Sequence, residues 1–208
     1  MKTAIKNQLY NLWAKPIDLC DTKNVSVVSF DVFDTLIVRK GISSPADLFE
    51  RINDSNFKQL RCEAEKKARK NKGNIEITIE DIYNFLPQYD YSIEEECEYS
   101  ICVANPEMLS FFDQCRLEEK KLIIVSDMYY SRDVISRILK NAGYLIEDDS
   151  IYVSSEFKTT KKTGKLFQDV ISNIGVFPRD VLHIGDDLIS DYLMAKKVGI
   201  NSFLYRDY

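Results

Sequence analysis

The chain has 208 residues, 45% of them hydrophobic and 29% charged, with only seven glycines and five prolines. That is enough apolar material for one buried α/β core, and it excludes a disordered or fibrous chain. A net charge of −5 disfavours nucleic acid and anionic membrane surfaces as partners, and no segment has the apolar length to span a bilayer.

The N-terminal stretch places Ile5, Leu9, Leu12 and Trp13 at helical spacing between lysines and asparagines. It lacks the continuous apolar run of a signal peptide. An amphipathic helix over residues 1–14, packed on the core within an N-terminal segment 1–24, is expected; docking to a partner is the alternative. The five cysteines (Cys20, Cys62, Cys97, Cys102 and Cys115) form no C-x-x-C and have no histidine cluster beside them. This predicts a reduced, cytoplasmic protein without a zinc site.

Val25 to Phe30 is the first of several short apolar runs that read as buried strands. Leu122 to Val125, Ile151 to Val153 and Val181 to Ile184 follow, with Asn201 to Leu204 near the C-terminus. Near-continuous apolar strands predict a parallel sheet covered on both faces. Helices are expected between them. Ser131 can cap one carrying Val134, Ile135, Ile138 and Leu139; Leu166 to Ile174 forms a second, and Leu188 to Ala195 a third. The fold class is therefore α/β, a Rossmann-like, doubly wound parallel sheet.

The interval after the first strand, residues 41–105, is far too long for an unstructured connection. It holds helix-start signals at Ser44-Pro45-Ala46-Asp47, Thr78-Ile79-Glu80-Asp81 and Ser92-Ile93-Glu94-Glu95, and Asn105-Pro106-Glu107 opens the helix returning to the sheet. A helical insertion is expected there, with 25–40 and 106–208 forming the core.

Ligands of a doubly wound sheet bind at the carboxyl ends of its strands. There the sequence supplies Asp31 and Asp34 after the first strand, and Ser126 and Asp127 after the second. Lys161 and Lys162 follow the third, and Asp186, Asp187 and Asp191 follow the fourth. Crowded carboxylates need a cation, and hard oxygen ligands favour Mg²⁺. A carboxylate, a metal, a lysine and a hydroxyl are the parts of a phosphoryl-transfer site.

These stretches carry a resemblance. Ser29-Phe30-Asp31-Val32-Phe33-Asp34-Thr35-Leu36, Ile123-Ile124-Val125-Ser126, Lys161 to Phe167 and His183 to Asp191 resemble, in order, the four signatures of the haloacid dehalogenase (HAD) superfamily. The insertion falls where that family carries its helical C1 cap. The resemblance implies a Mg²⁺-dependent phosphatase acting on a phosphorylated small molecule. Asp31 would be the nucleophile, forming an aspartyl-phosphate. Asp31, Asp186, Asp191 and the backbone carbonyl of Phe33 would hold the metal. Ser126 would bind a phosphoryl oxygen, with a backbone N–H near Asp127. Either Lys161 or Lys162 would neutralise charge, Lys161 fitting the usual spacing. In the insertion, Arg61 is the candidate for anion recognition against a surface salt bridge as the plain reading, and Tyr129 is placed to line the cleft. His183, the only histidine, reads as a structural residue within a strand.

One departure matters. The family's phosphatases carry an aspartate two positions after the nucleophile as general acid and base; here that position is Phe33, and Asp34 stands where a small residue is usual. Asp34, Asp127 or the substrate could supply the proton instead. Metal-free dehalogenase-like chemistry is a second reading, which Gly185-Asp186-Asp187 opposes. The third is a domain that binds a phosphorylated ligand or partner protein without turnover. The Phe33-Asp34 and Ser126-Asp127-Met128-Tyr129 combination also resembles a subgroup of predicted hydrolases linked to glycosyltransferases of bacterial surface polysaccharides, implying a phosphorylated sugar and association with such an enzyme or pathway.

Overall fold

The computed structural model describes residues 17–52 and 56–206. The helix expected over residues 1–14 lies outside them.

Five strands form one parallel sheet. They are β1 (Val27–Phe30), β4 (Lys121–Ser126), β5 (Ile151–Val153), β6 (Val181–Gly185) and β7 (Asn201–Leu204), in the spatial order β5-β4-β1-β6-β7. Register aligns Phe30 with Ile124 on one side and Ile184 on the other. Asp31, Ser126 and Asp186 therefore emerge at one end of three adjacent strands.

Both faces of the sheet are covered. Val28, Phe30, Ile124 and Ile184 pack with Met108, Phe111 and Phe112 of α4 (Pro106–Leu117) and with Ile135, Ile138 and Leu139 of α5 (Arg132–Asn141). Val27, Ile123 and Val125 face the other way, onto Leu166, Phe167 and Val170 of α7 (Lys165–Ile174) and onto Ala195 of α8 (Met194–Lys197). Alternation along each strand thus feeds two apolar layers, which is why the runs read as continuously apolar. Truncating a fully buried ring such as Phe112 in this core would cost about 3–5 kcal/mol. A short α6 (Ser154–Phe157) follows β5.

The long interval contains a 3₁₀ helix (Pro45–Arg51), α1 (Phe57–Lys72), α2 (Ile79–Tyr83) and α3 (Ser92–Ile101). Asp47 Oδ2 accepts from the backbone N–H of Ser43 and Ser44, at 3.2 and 2.8 Å. Thr78 and Asp81 cap α2 reciprocally. The third start differs from the sequence expectation: Ser92 is the first helical residue, following Tyr91 at the N-cap, and its N–H donates to Asp90 Oδ1 at 2.9 Å, so Ser92 does not cap α3. The interval leaves and rejoins the core through an antiparallel ribbon, β2 (Ile37–Arg39) with β3 (Cys102–Ala104). Three-residue strands offer no periodicity to read, and this ribbon was not expected.

Candidate active site

The loop leaving β1 is tightly folded. Asp34 N–H donates to Ile37 O, and Ile37 N–H to Val32 O, both at 2.8 Å. Asp34 sits at φ 58°, a left-handed conformation that Asp tolerates better than most residues. Asn105 fixes the loop from behind. Its N–H donates to Leu36 O at 2.8 Å and its side-chain amide to Thr35 O at 3.0 Å, while Tyr144 Oη donates to Leu36 O at 2.7 Å.

This loop presents Asp31, 8% exposed, to Lys161. The Lys161 ammonium donates to Asp31 Oδ1 and lies 2.7 Å from Asp191 Oδ1. Of the two neighbouring lysines, Lys161 is thus turned inward and buried, whereas Lys162 is exposed. The turn between them is set by Asp127, whose carboxylate accepts from Lys161 N–H at 2.7 Å and Lys162 N–H at 3.3 Å. Asp127 therefore contributes by shaping the lysine loop. Met128, next along, is held by Ser154 Oγ, which accepts from Met128 N–H at 2.9 Å. Ser126 is buried at the end of β4.

Asp191 reaches the same place from a π-helical segment (Leu188–Leu193) that Asp187 caps, its Oδ1 accepting from Ile189 N–H and Ser190 N–H at 2.9 and 2.8 Å. Asp191 Oδ2 accepts from Asp187 N–H at 2.9 Å. Gly185 is required by this approach, since a Cβ there would overlap Asp191 Cγ and Oδ2. His183 lies beneath, fully buried, with Nε2 3.2 Å from Asp191 Oδ1 and Nδ1 2.8 Å from Ser29 Oγ. With Asp191 ionised, Nε2 carries the proton and Nδ1 accepts from Ser29. The histidine is structural as expected, but it holds a carboxylate of the site.

Asp31, Asp186 and Asp191 each offer one carboxylate oxygen within 4.8 Å of the others'. Burial pushes the Asp31 carboxyl well above its ordinary range; Lys161 opposes this, while Asp191 and Asp186 add to it. Burial, with the charges of Asp191 and Asp34, pushes Asp186 up to about 7. Asp191 also suffers from burial, yet Lys161 and His183 hold it well below the usual carboxylate range. Lys161 stays charged because Asp191 and Asp31 outweigh its own burial, and burial keeps His183 neutral. Three carboxylates thus share one ammonium. The remaining negative charge, presented by hard oxygens, fits a divalent cation such as Mg²⁺.

Phe33 takes a different path. Its half-buried ring lies under the guanidinium of Arg39, 4.1 Å from the centroid. Arg39 is clamped to Glu98 of α3, Nε to Oε1 at 2.5 Å and Nη2 to Oε2 at 3.4 Å.

Arg61 and Tyr129 are also placed differently from the phosphate-facing roles expected of them. Arg61 is fully buried, with Nε 2.5 Å and Nη2 2.9 Å from the two oxygens of Glu94, and Nη1 3.1 Å from Glu65 Oε2. Nor is this the surface ion pair of the plain reading. Tyr129 Oη donates to Glu94 at 2.9 Å, and Tyr83 and Tyr130 hydroxyls join it at 3.0 and 3.2 Å. Glu94 and Glu98 were missed as key residues. Their signal was the face they share with Ile101, at positions i, i+4 and i+7 of α3, which points to burial.

Residues 19–205 match the family model of haloacid dehalogenase-like hydrolases. A curated relative, haloacid dehalogenase-like hydrolase domain-containing protein 3 of Danio rerio, is 30% identical over 67 residues, which cover 32% of this chain and 28% of the relative. Among solved structures, the HAD family enzyme BT-2542 of Bacteroides thetaiotaomicron is similar at TM-score 0.64 and 19% identity, covering 88% of this chain and 95% of that one. Its complex with magnesium and inorganic phosphate is similar at TM-score 0.62 and 17% identity, covering 88% and 94%. L-2-haloacid dehalogenase of Xanthobacter autotrophicus is similar at TM-score 0.59 and 20% identity, covering 86% and 76%. These likenesses show a shared fold, and the family match extends over nearly the whole chain. The chain belongs to the haloacid dehalogenase-like hydrolases.

Proposed function

We infer that this hydrolase is a Mg²⁺-dependent phosphatase of a phosphorylated small molecule, working through an aspartyl-phosphate on Asp31. The observation that carries the reading is the Lys161 ammonium seated on Asp31 within a group of three carboxylates. Structural and surface acidic clusters do not need a buried lysine aimed at one member. The magnesium and phosphate complex of BT-2542 supports the same chemistry by analogy of fold.

In this reading Asp31, Asp186, Asp191 and the Phe33 carbonyl would hold the ion, which would supply positive charge to gather phosphate beside the nucleophile. Lys161 keeps Asp31 oriented and offsets charge as the phosphoryl group arrives. Ser126, at the adjoining strand end, donates to a phosphoryl oxygen. Asp127 sets the Lys161 loop, and His183 holds Asp191 in place. Residues 41–105 act as a cap, tied to the core through Glu94 and Tyr129, which limits water at the site. The free thiols of Cys62, Cys97, Cys102 and Cys115 support a cytoplasmic setting. Among the described residues no helix is long and apolar enough to cross a membrane. A sugar phosphate as substrate and an association with glycosyltransferases rest on the subgroup resemblance alone.

A second reading, a domain that binds phosphorylated ligands without turnover, is favoured by one observation, the phenyl ring at position 33. Phosphate release from a panel of sugar phosphates and other metabolites separates the two, measured with Mg²⁺ and with EDTA for wild type and Asp31→Asn. Mg²⁺-dependent release lost in the variant supports the phosphatase. Binding without release from any member supports the second reading.

A further inference from the structure

Resting on the phosphatase reading, we propose that the site takes activated phosphates, donors whose leaving oxygen departs as a stable anion, and that phosphorylated Asp31 accumulates during turnover. Acyl and aryl phosphates are the chemical class.

The surroundings of Asp31 decide this chemistry. Two residues along the chain, Phe33 carries no exchangeable proton, and Arg39 covers its ring at 4.1 Å. Arg39 is a permanent cation locked onto Glu98, which is 1% exposed and also receives Tyr130 Oη at 3.4 Å. The ring is wedged in place, so neither it nor its cover can move a proton.

Apart from Asp34, the other proton-bearing groups at this end of the sheet have other work, and Asp186 belongs with Asp191 to the carboxylates that would hold the ion. Asp127 spends both carboxylate oxygens on Lys161 N–H and Lys162 N–H. His183 is sealed between Ser29 and Asp191. Lys161 is held between Asp31 and Asp191, and Tyr129 Oη is bonded to Glu94. Asp34 stands exposed, lining a cavity of about 150 Å³ with Arg39, Ser43 and Ser44. Lys161, by contrast, is well placed to stabilise charge on the transferring group. The site is equipped electrostatically and poor in proton transfer.

The two half-reactions respond differently to that imbalance. In the first, an Asp31 carboxylate oxygen forms a bond to phosphorus while the bond to the leaving oxygen breaks, its electron pair departing with that oxygen. A carboxylate or phenolate needs no proton to leave, whereas an alkoxide does. In the second, a water oxygen attacks phosphorus, the Asp31–phosphorus bond breaks to return the carboxylate, and the water's proton passes to bulk solvent. With no base to take that proton, this step is slow. Positioned proton transfer contributes about 10²–10⁴-fold, a factor that donors with alkoxide leaving groups forgo here and activated donors scarcely need.

The test uses the full-length protein with Mg²⁺, acetyl phosphate, glycerol phosphate and a series of ring-substituted phenyl phosphates. Rapid-quench intact mass follows phosphorylation and its decay, for wild type and Asp34→Asn. The expected result is a phosphorylation rate that falls steeply with leaving-group pKa, a phosphoenzyme outlasting many phosphorylation half-times, and the same slope in the variant. Two outcomes overturn the proposal while leaving the phosphatase standing. One is a flat leaving-group dependence with a phosphoenzyme that never accumulates. The other is a flat wild type that becomes steep in Asp34→Asn, which would make Asp34 the proton carrier. No phosphoenzyme and no phosphate release from any donor would remove both the proposal and the reading beneath it.

Discussion

Lys161 Nζ lies 2.7 Å from Asp191 Oδ1 and at the same time donates to Asp31, so one buried ammonium joins the end of β1 to the π-helical segment that follows β6. Replacing it leaves Asp31, Asp186 and Asp191 facing one another without their internal cation. Lys161→Met should lower phosphate release about 10²–10³-fold, the usual cost of losing a preorganised electrostatic contact in a transition state. Lys162→Met, whose side chain is exposed, should lose far less. Steady-state phosphate release on both variants checks this, and equal losses would contradict the assignment of Lys161.

Metal binding should be visible without turnover. A cation that binds only the folded state stabilises it by about 2.7 kcal/mol at a hundredfold excess over Kd. Thermal melts of wild type should therefore shift upward with Mg²⁺ and return with EDTA. Asp186→Asn removes one of three crowded carboxylates. Its metal-free form should melt higher than metal-free wild type, and its response to Mg²⁺ should be lost. A full Mg²⁺ shift in the variant would exclude Asp186 as a ligand.

Gly185 should be intolerant for a steric reason unrelated to backbone freedom. The Cβ of Gly185→Ala would overlap the Asp191 carboxyl. Overpacking of this kind costs about 1–3 kcal/mol. Displacement of Asp191 should also remove the Mg²⁺-induced shift in melting temperature. Unchanged stability and metal response would mean that Asp191 has room to move.

Arg61 should matter for stability more than for phosphate. Removing one member of a buried ion pair costs about 3–5 kcal/mol, because the other is left uncompensated. Arg61→Met and Glu94→Gln should each show losses of that order in denaturant unfolding, and the effects should not add in the double variant. An Arg61→Met protein of wild-type stability with weakened phosphate binding would restore the anion-recognition role.

The positions of the strands along the chain and the convergence of carboxylates at their ends were legible because each strand is marked by local pattern. Val25 to Phe30 and Val181 to Ile184 are apolar runs ending in acids, and a parallel sheet brings such ends together. The choice between Lys161 and Lys162 was not settled by spacing alone. It depends on Asp127, 34 residues earlier, turning the lysine loop through two backbone hydrogen bonds. Arg61 and Glu94, 33 residues apart, pair only once α1 and α3 pack together, and periodicity within one helix marks a buried face without naming its partner. The β2–β3 ribbon was invisible for a similar reason, since Ile37 and Ala104 find each other across the whole insertion.

Covalent chemistry at Asp31 is the centre of this account, and site-resolved mass spectrometry tests it most directly. Wild type and Asp31→Asn would be mixed with acetyl phosphate and Mg²⁺, quenched in acid and digested. The expected result is a phosphoryl group on the peptide containing Asp31, sensitive to hydroxylamine as an acyl phosphate should be, and absent from the variant and from EDTA-treated samples. A phosphoryl group on another residue, or the same modification in Asp31→Asn, would contradict the assignment of Asp31 as nucleophile.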